Sequence, residues 1–196
     1  MANLKKKDIS QKFAGNSGCE LIIFSKKGYK VRKISNSKKT SERLVKQYQK
    51  IINFKKFQNI IVPKIFNHGI INKKFYYDME YFNSVNFSEM ILKDSYQNSH
   101  KSLIKIFEYL TFCKKKALKK NFPKFIFEKK ISELEKNIKN KDKSLIKVIS
   151  SLKKFNWKNI PISISHGDLT MENILVNKDD LIFIDLSKNF IDSYYL

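Results

Sequence analysis

An α+β fold follows from three features of the sequence: a β-rich first stretch holding one helix, a helical middle with lysine-covered faces, and a short hairpin near the last residues. From Glu20 to Ser35 two apolar runs flank Lys26-Lys27-Gly28, a hairpin signal. Between Thr40 and Phe54 the apolar residues Leu44, Val45, Tyr48, Ile51 and Ile52 recur at the spacing of an amphipathic helix. Pro63 ends a short segment, and Lys74 to Phe82 is aromatic-rich enough to form a further strand. Residues 99–119 and 127–155 carry helical periodicity, punctuated by Asn121-Phe122-Pro123. After Pro161 strands return: Ile174 to Val176, a turn over 177–180, then Leu181 to Ile184 running into Asp185. There is no internal repeat and no low-complexity linker, and the change of pattern divides the chain into residues 1–82 and 83–196.

Composition sets the outer bounds. With 196 residues and 42% apolar content the chain buries one substantial core, or two small lobes sharing a cleft. The residues after Met1 are polar, without the apolar middle of a secretory signal. Apolar runs such as Leu21 to Phe24 fall far short of the ~20 residues a membrane span needs, so no membrane insertion is expected. Cys19 and Cys113 are too few and too far apart for a disulfide framework or a zinc site, which fits a reducing cytoplasm. The formal charge of +22 raises nucleic acid as a partner. Arg, however, occurs only at Arg32 and Arg43, and arginine is the residue suited to bidentate phosphate and base-edge contacts. A lysine-heavy composition of AT-rich coding type accounts for the charge better, and no specific nucleic acid is expected; a basic nucleic-acid-binding protein is kept as a rival.

The chemistry concentrates in Ile164-Ser165-His166-Gly167-Asp168-Leu169-Thr170-Met171-Glu172-Asn173, directly before the last hairpin, with Asp185 closing it. Phosphoryl transfer needs a group that orients and deprotonates the attacking hydroxyl, and hard oxygen ligands for magnesium. Asp168, Asn173 and Asp185 supply both, and a hairpin between the last two returns them to one edge of a cleft.

This segment resembles the catalytic loop of the aminoglycoside phosphotransferase and choline kinase group, relatives of the protein kinases. The group's pattern is His-Gly-Asp, four residues, Asn, a short hairpin, then Ile-Asp, and every defining position is matched here. The resemblance implies a protein-kinase-like fold, with an antiparallel-sheet lobe over residues 1–82 and a mainly helical catalytic lobe over 83–196. It implies Asp168 as the catalytic base, Asn173 and Asp185 as magnesium ligands, and His166 as a brace for the loop. Gly167 stands where protein kinases usually carry Arg, which argues against control by activation-loop phosphorylation. ATP and Mg²⁺ are the cofactors implied, and a hydroxyl of a sugar, amino alcohol or similar small molecule is the acceptor. A kinase-shaped chain without turnover is the rival within the same fold.

In kinase-like folds a glycine loop covers the nucleotide phosphates, and Gly15, Ser17 and Gly18 lie just before the first expected strand, where glycines let backbone amides approach an anion closely. Lys33, on the second strand after those glycines, resembles the lysine that holds the α- and β-phosphates. Two roles fit Glu42: pairing with Lys33, or complementing the dipole of the following helix. Glu80 and Tyr81 resemble the hinge whose backbone holds adenine, although an edge strand packed by aromatics fits them equally. His68 and His100 are isolated, and Trp157 reads as core. Members of the group continue beyond Asp185 with helices that shape the acceptor pocket, while this sequence ends at Leu196, so those helices are expected to be missing. The lysine-laden helical half offers few carboxylates, which favours a neutral or anionic acceptor.

Overall fold

The computed structural model describes residues 9–14, 18–25, 28–93, 96–120, 124–137, 143–156, 158–163 and 165–187. Strands β1 (Ile9–Ala14), β2 (Cys19–Ser25) and β3 (Tyr29–Ser35) lead into helix α1 (Lys38–Ile52), followed by β4 (Ile60–Ile61), β5 (Ile65–Ile71) and β6 (Lys74–Glu80). All of these strands except β4 build an antiparallel sheet ordered β1-β2-β3-β6-β5. The expected hairpin, helix and aromatic strand are therefore present. Their partners β1 and β5 were not foreseen, because Ile9 to Ala14 and Ile65 to Ile71 mix polar residues and glycine among the apolar ones.

Helix α1 starts where Ser37 caps the backbone of Thr40 and Thr40 returns the bond, a reciprocal capping box. Leu44 and Ile51 give it a buried stripe. Hydroxyls then pin its start to the sheet: Ser41 Oγ lies 2.6 Å from Ser35 Oγ and accepts from the Phe75 amide at 3.3 Å. On the sheet's opposite face Arg32 and Asp78, partners across β3 and β6, form a buried bidentate ion pair of 2.6 and 2.9 Å, with the guanidinium 4.1 Å above the Tyr76 ring.

The remainder comprises β7 (Val85–Asn86), α2 (Phe87–Lys93), α3 (Tyr96–Lys115), β8 (Leu118–Lys120), α4 (Lys124–Asn137), α5 (Lys143–Lys154), β9 (Ile160–Ile162), and the hairpin β10 (Ile174–Asn177) and β11 (Asp180–Phe183). The helical periodicity through residue 119 overran α3: Leu118 to Lys120 instead pair with β9 as a two-stranded sheet. A second sheet, ordered β4-β11-β10-β7, holds the hairpin, with β4 parallel to β11 through Leu181 beside Ile60. One continuous core joins the first sheet, α1, α2, α3 and the last hairpin, running from Leu44, Tyr77 and Met79 through Phe87, Ile106 and Tyr109 to Ile174, Leu181 and Phe183, while Phe127, Ile131 and Ile149 of α4 and α5 are buried outside it. The Phe183 ring meets Tyr109 edge-on at 5.1 Å, which ties the hairpin to α3. Among the described residues no helix is long and apolar enough to cross a membrane. The expected turn at Lys26-Lys27, the break at Asn121 to Pro123, Trp157 and the segment 192–196 lie outside the described residues.

Candidate active site

The last hairpin assembles the motif. Its strands pair Ile174 with Phe183, and the Ile184 amide donates to the Asn173 carbonyl at 3.0 Å, so Asn173 and Asp185 leave the hairpin at the same end. Asn173 closes a single helical turn, Met171 to Asn173, and points its amide back along the loop. Asn173 Nδ2 donates to the Asp168 carbonyl at 2.9 Å and to its carboxylate Oδ2 at 3.3 Å. Asp168 is exposed.

His166 is the buried support beneath. Its Nδ1 accepts from the Asp168 amide at 3.3 Å, so Nε2 carries the proton and donates to the Ile184 carbonyl at 2.8 Å. Phe183 packs edge-on at 5.2 Å. Burial pushes the imidazole pKa down to about 4, reinforced by the nearby Lys50 charge and opposed by the Ile184 carbonyl, and the ring is neutral at ordinary pH. The Ser187 amide also donates to the His166 carbonyl, at 3.0 Å, so the chain is stitched to the loop once on each side of Asp185.

Gly167 sits in that seam with φ +84°, and a Cβ there would lie 2.0 Å from the Ser187 carbonyl oxygen and 3.0 Å from Lys50 Nζ. Only glycine fits. Lys50 reaches in from α1 and donates to the same Ser187 oxygen at 2.6 Å.

From the sheet side Lys33, fully buried on β3, pairs its ammonium with the Asp185 carboxylate. Asp185 holds φ +57°, a left-handed conformation that Asp tolerates better than most residues. Tyr77, the cross-strand neighbour of Lys33, buries a hydroxyl without a partner among the described residues; burial first, then the Asp185 charge, push its pKa up.

Lys33, Asp185, Asn173, Asp168 and His166 thus form one connected set. Glu42 is not part of it. The residue lies two positions before Leu44, about 200° round the helix, and is exposed. Among the described residues no ion pair joins it to Lys33, and α1 has no acid in its first turn, where the dipole would be felt. Gly18, with φ +70°, opens β2, so the glycine segment falls between β1 and β2 rather than before the first strand. Gly15 and Ser17 lie outside the described residues. Glu80 ends β6, its amide donating to the Lys64 carbonyl at 2.9 Å and its carboxylate accepting from the Lys64 amide at 3.3 Å, while Tyr81 packs 5.9 Å from the Tyr29 ring. Lys50, Ser187 and Tyr77 had no signal in the sequence: one lysine among so many carries none.

Carboxylates at Asp168 and Asp185 with the Asn173 amide oxygen make a hard donor set of the kind Mg²⁺ takes. Among the described residues no three His, Cys, Asp or Glu converge on a metal position.

No protein-family model matches the sequence, and no curated protein matches it either. Among solved structures, a fructosamine-3-kinase homologue from Haemophilus somnus 129PT is similar over 91% of this chain and 66% of its own, with a TM-score of 0.59 and 15% identity. The kinase domain of PknI from Mycobacterium tuberculosis aligns over 91% of this chain and 57% of its own, with a TM-score of 0.49 and 8% identity. The first similarity shows the fold: the chain has a protein-kinase-like α+β architecture. It spans less than two-thirds of the length of either protein.

Proposed function

We propose that this chain transfers the γ-phosphoryl group of ATP to a hydroxyl of a small molecule, in the manner of the aminoglycoside phosphotransferase and choline kinase group. The observation that carries the reading is the meeting of Lys33, from the sheet, with Asp185 at the hairpin end that also bears Asn173 and, through its amide, Asp168. In this reading residues 1–82 form the nucleotide-binding lobe and 83–196 the catalytic lobe, with the backbone at Glu80 and Tyr81 beside adenine.

Asp168, the exposed carboxylate of the set, takes the proton of the attacking hydroxyl. Asn173 holds that carboxylate in place through its amide N–H. Neutral His166 keeps the loop in register with residue 184, and Lys33 steadies the nucleotide phosphates. Asn173 and Asp185 would hold Mg²⁺, whose charge offsets that of the phosphates as they react. A neutral or anionic acceptor, such as a sugar or its acid, suits a helical half this rich in lysine.

The test is ATP consumption over a panel of sugars, sugar acids and amino alcohols, with Asp168→Ala beside the native chain. Loss of about 10²–10⁴-fold in rate with nucleotide binding retained supports the base assignment. An unchanged rate in the variant, or nucleotide binding without turnover by the native chain, defeats it.

A further inference from the structure

A cavity of about 870 Å³ opens between the second half of α1, the end of α3 and the β8–β9 pair. Sites that enclose small organic molecules have volumes of about 300–1,000 Å³, mostly apolar walls and a few convergent polar groups. Phe54 and Phe112 supply walls here, and Lys46, Lys50, Lys55 and Lys116 supply the charge. Among the described residues that line it there is no Asp or Glu, and none of Lys33, Asp168, Asn173 and Asp185. Among the described residues no ion pair engages Lys46, Lys55 or Lys116. Four lysines and no carboxylate around a partly apolar hollow give it a positive potential, which favours a bound anion.

We propose that this cavity binds a small organic anion, an apolar body carrying a phosphate or carboxylate, at a site separate from the one assigned to phosphoryl transfer. Lys50 links the two. The residue lines the cavity and its ammonium holds the Ser187 carbonyl beside Gly167, so an anion that draws on that ammonium acts on the seam between the His166 loop and the segment after Asp185. Binding stands independently of the phosphotransferase reading and is measured without turnover.

The probe is 1-naphthyl phosphate, titrated into the ¹⁵N-labelled full chain and followed by amide chemical shifts. Saturable one-site shifts centred on Phe54, Phe112 and Ile162 are expected, with 1-naphthol and inorganic phosphate each at least about tenfold weaker, since each offers half of the match. The double variant Lys55→Glu/Lys116→Glu should weaken the probe about tenfold or more, while Lys101→Glu/Lys147→Glu, the same change of charge on exposed helix faces elsewhere, should leave it within about twofold. All four positions are exposed, so the fold tolerates the changes. Shifts that do not saturate, that centre on Lys33 and Asp185, or that weaken equally in both double variants would overturn the proposal.

Discussion

Acid should unfold this protein in part through His166. The ring is held neutral in the folded chain with a pKa of about 4, against an ordinary value of 6.5. The unfolded chain therefore binds a proton first as pH falls, and stability drops wherever the unfolded state carries more protons. The contribution is complete above the unfolded value, declines through the window from 6.5 to about 4, and is flat below it. Linkage over that window gives a loss of about 2 kcal/mol by about pH 5, approaching ~3 kcal/mol in stronger acid. Urea unfolding midpoints collected between about pH 8 and pH 4 measure it. His166→Gln keeps an N–H for the Ile184 carbonyl but cannot titrate, so the difference between native and variant profiles isolates this group from the carboxylates that both share. Ring resonances of the native protein provide a second readout that does not require the variant to fold. A His166 ring that titrates near 6.5, or native and variant profiles of equal slope, would refute the account.

Gly167→Ala places a methyl 2.0 Å from the Ser187 oxygen at a left-handed φ, and should cost about 3 kcal/mol or more in urea unfolding. Asp78→Ala leaves Arg32 buried without its counter-charge and should cost about 3–5 kcal/mol. Arg32→Met combined with Asp78→Leu should recover most of that loss, and a double variant as weak as the single would contradict the account of the pair. Tyr77→Phe removes a buried hydroxyl that has no partner among the described residues, so thermal unfolding should show no loss and a gain of up to about 1 kcal/mol; a clear loss would mean that the hydroxyl is bonded.

The parts of the fold legible in the sequence were those with strong local periodicity. The β2–β3 hairpin, α1, β6 and the β10–β11 hairpin each announce themselves through spacing within a few residues. The segments β1, β4, β5 and β7 are strands because of what they lie beside, and no local pattern carries that information. The same division holds at the site. Asp168, Asn173 and Asp185 were readable because the hairpin between the last two fixes their relation within a short stretch. Glu42 was misjudged because its sequence position gave nearness to Lys33 without the rotation about α1 that turns it outward. Asp185 instead meets Lys33, a contact between residues far apart in the chain, and Lys50 likewise reaches Ser187 across the molecule.

The short β4 strand has a consequence for how the protein comes into being. It leaves the chain between α1 and β5, yet it lines up with β11, so Ile60 waits for Leu181, which already has Val176 as its hairpin partner. Closing so large a loop is entropically slow. On the ribosome the five-stranded sheet emerges with all its strands while β4 is still unmatched, and the second sheet forms only when β11 arrives. Cutting the chain at residue 82 would therefore divide a shared sheet rather than release two self-sufficient halves.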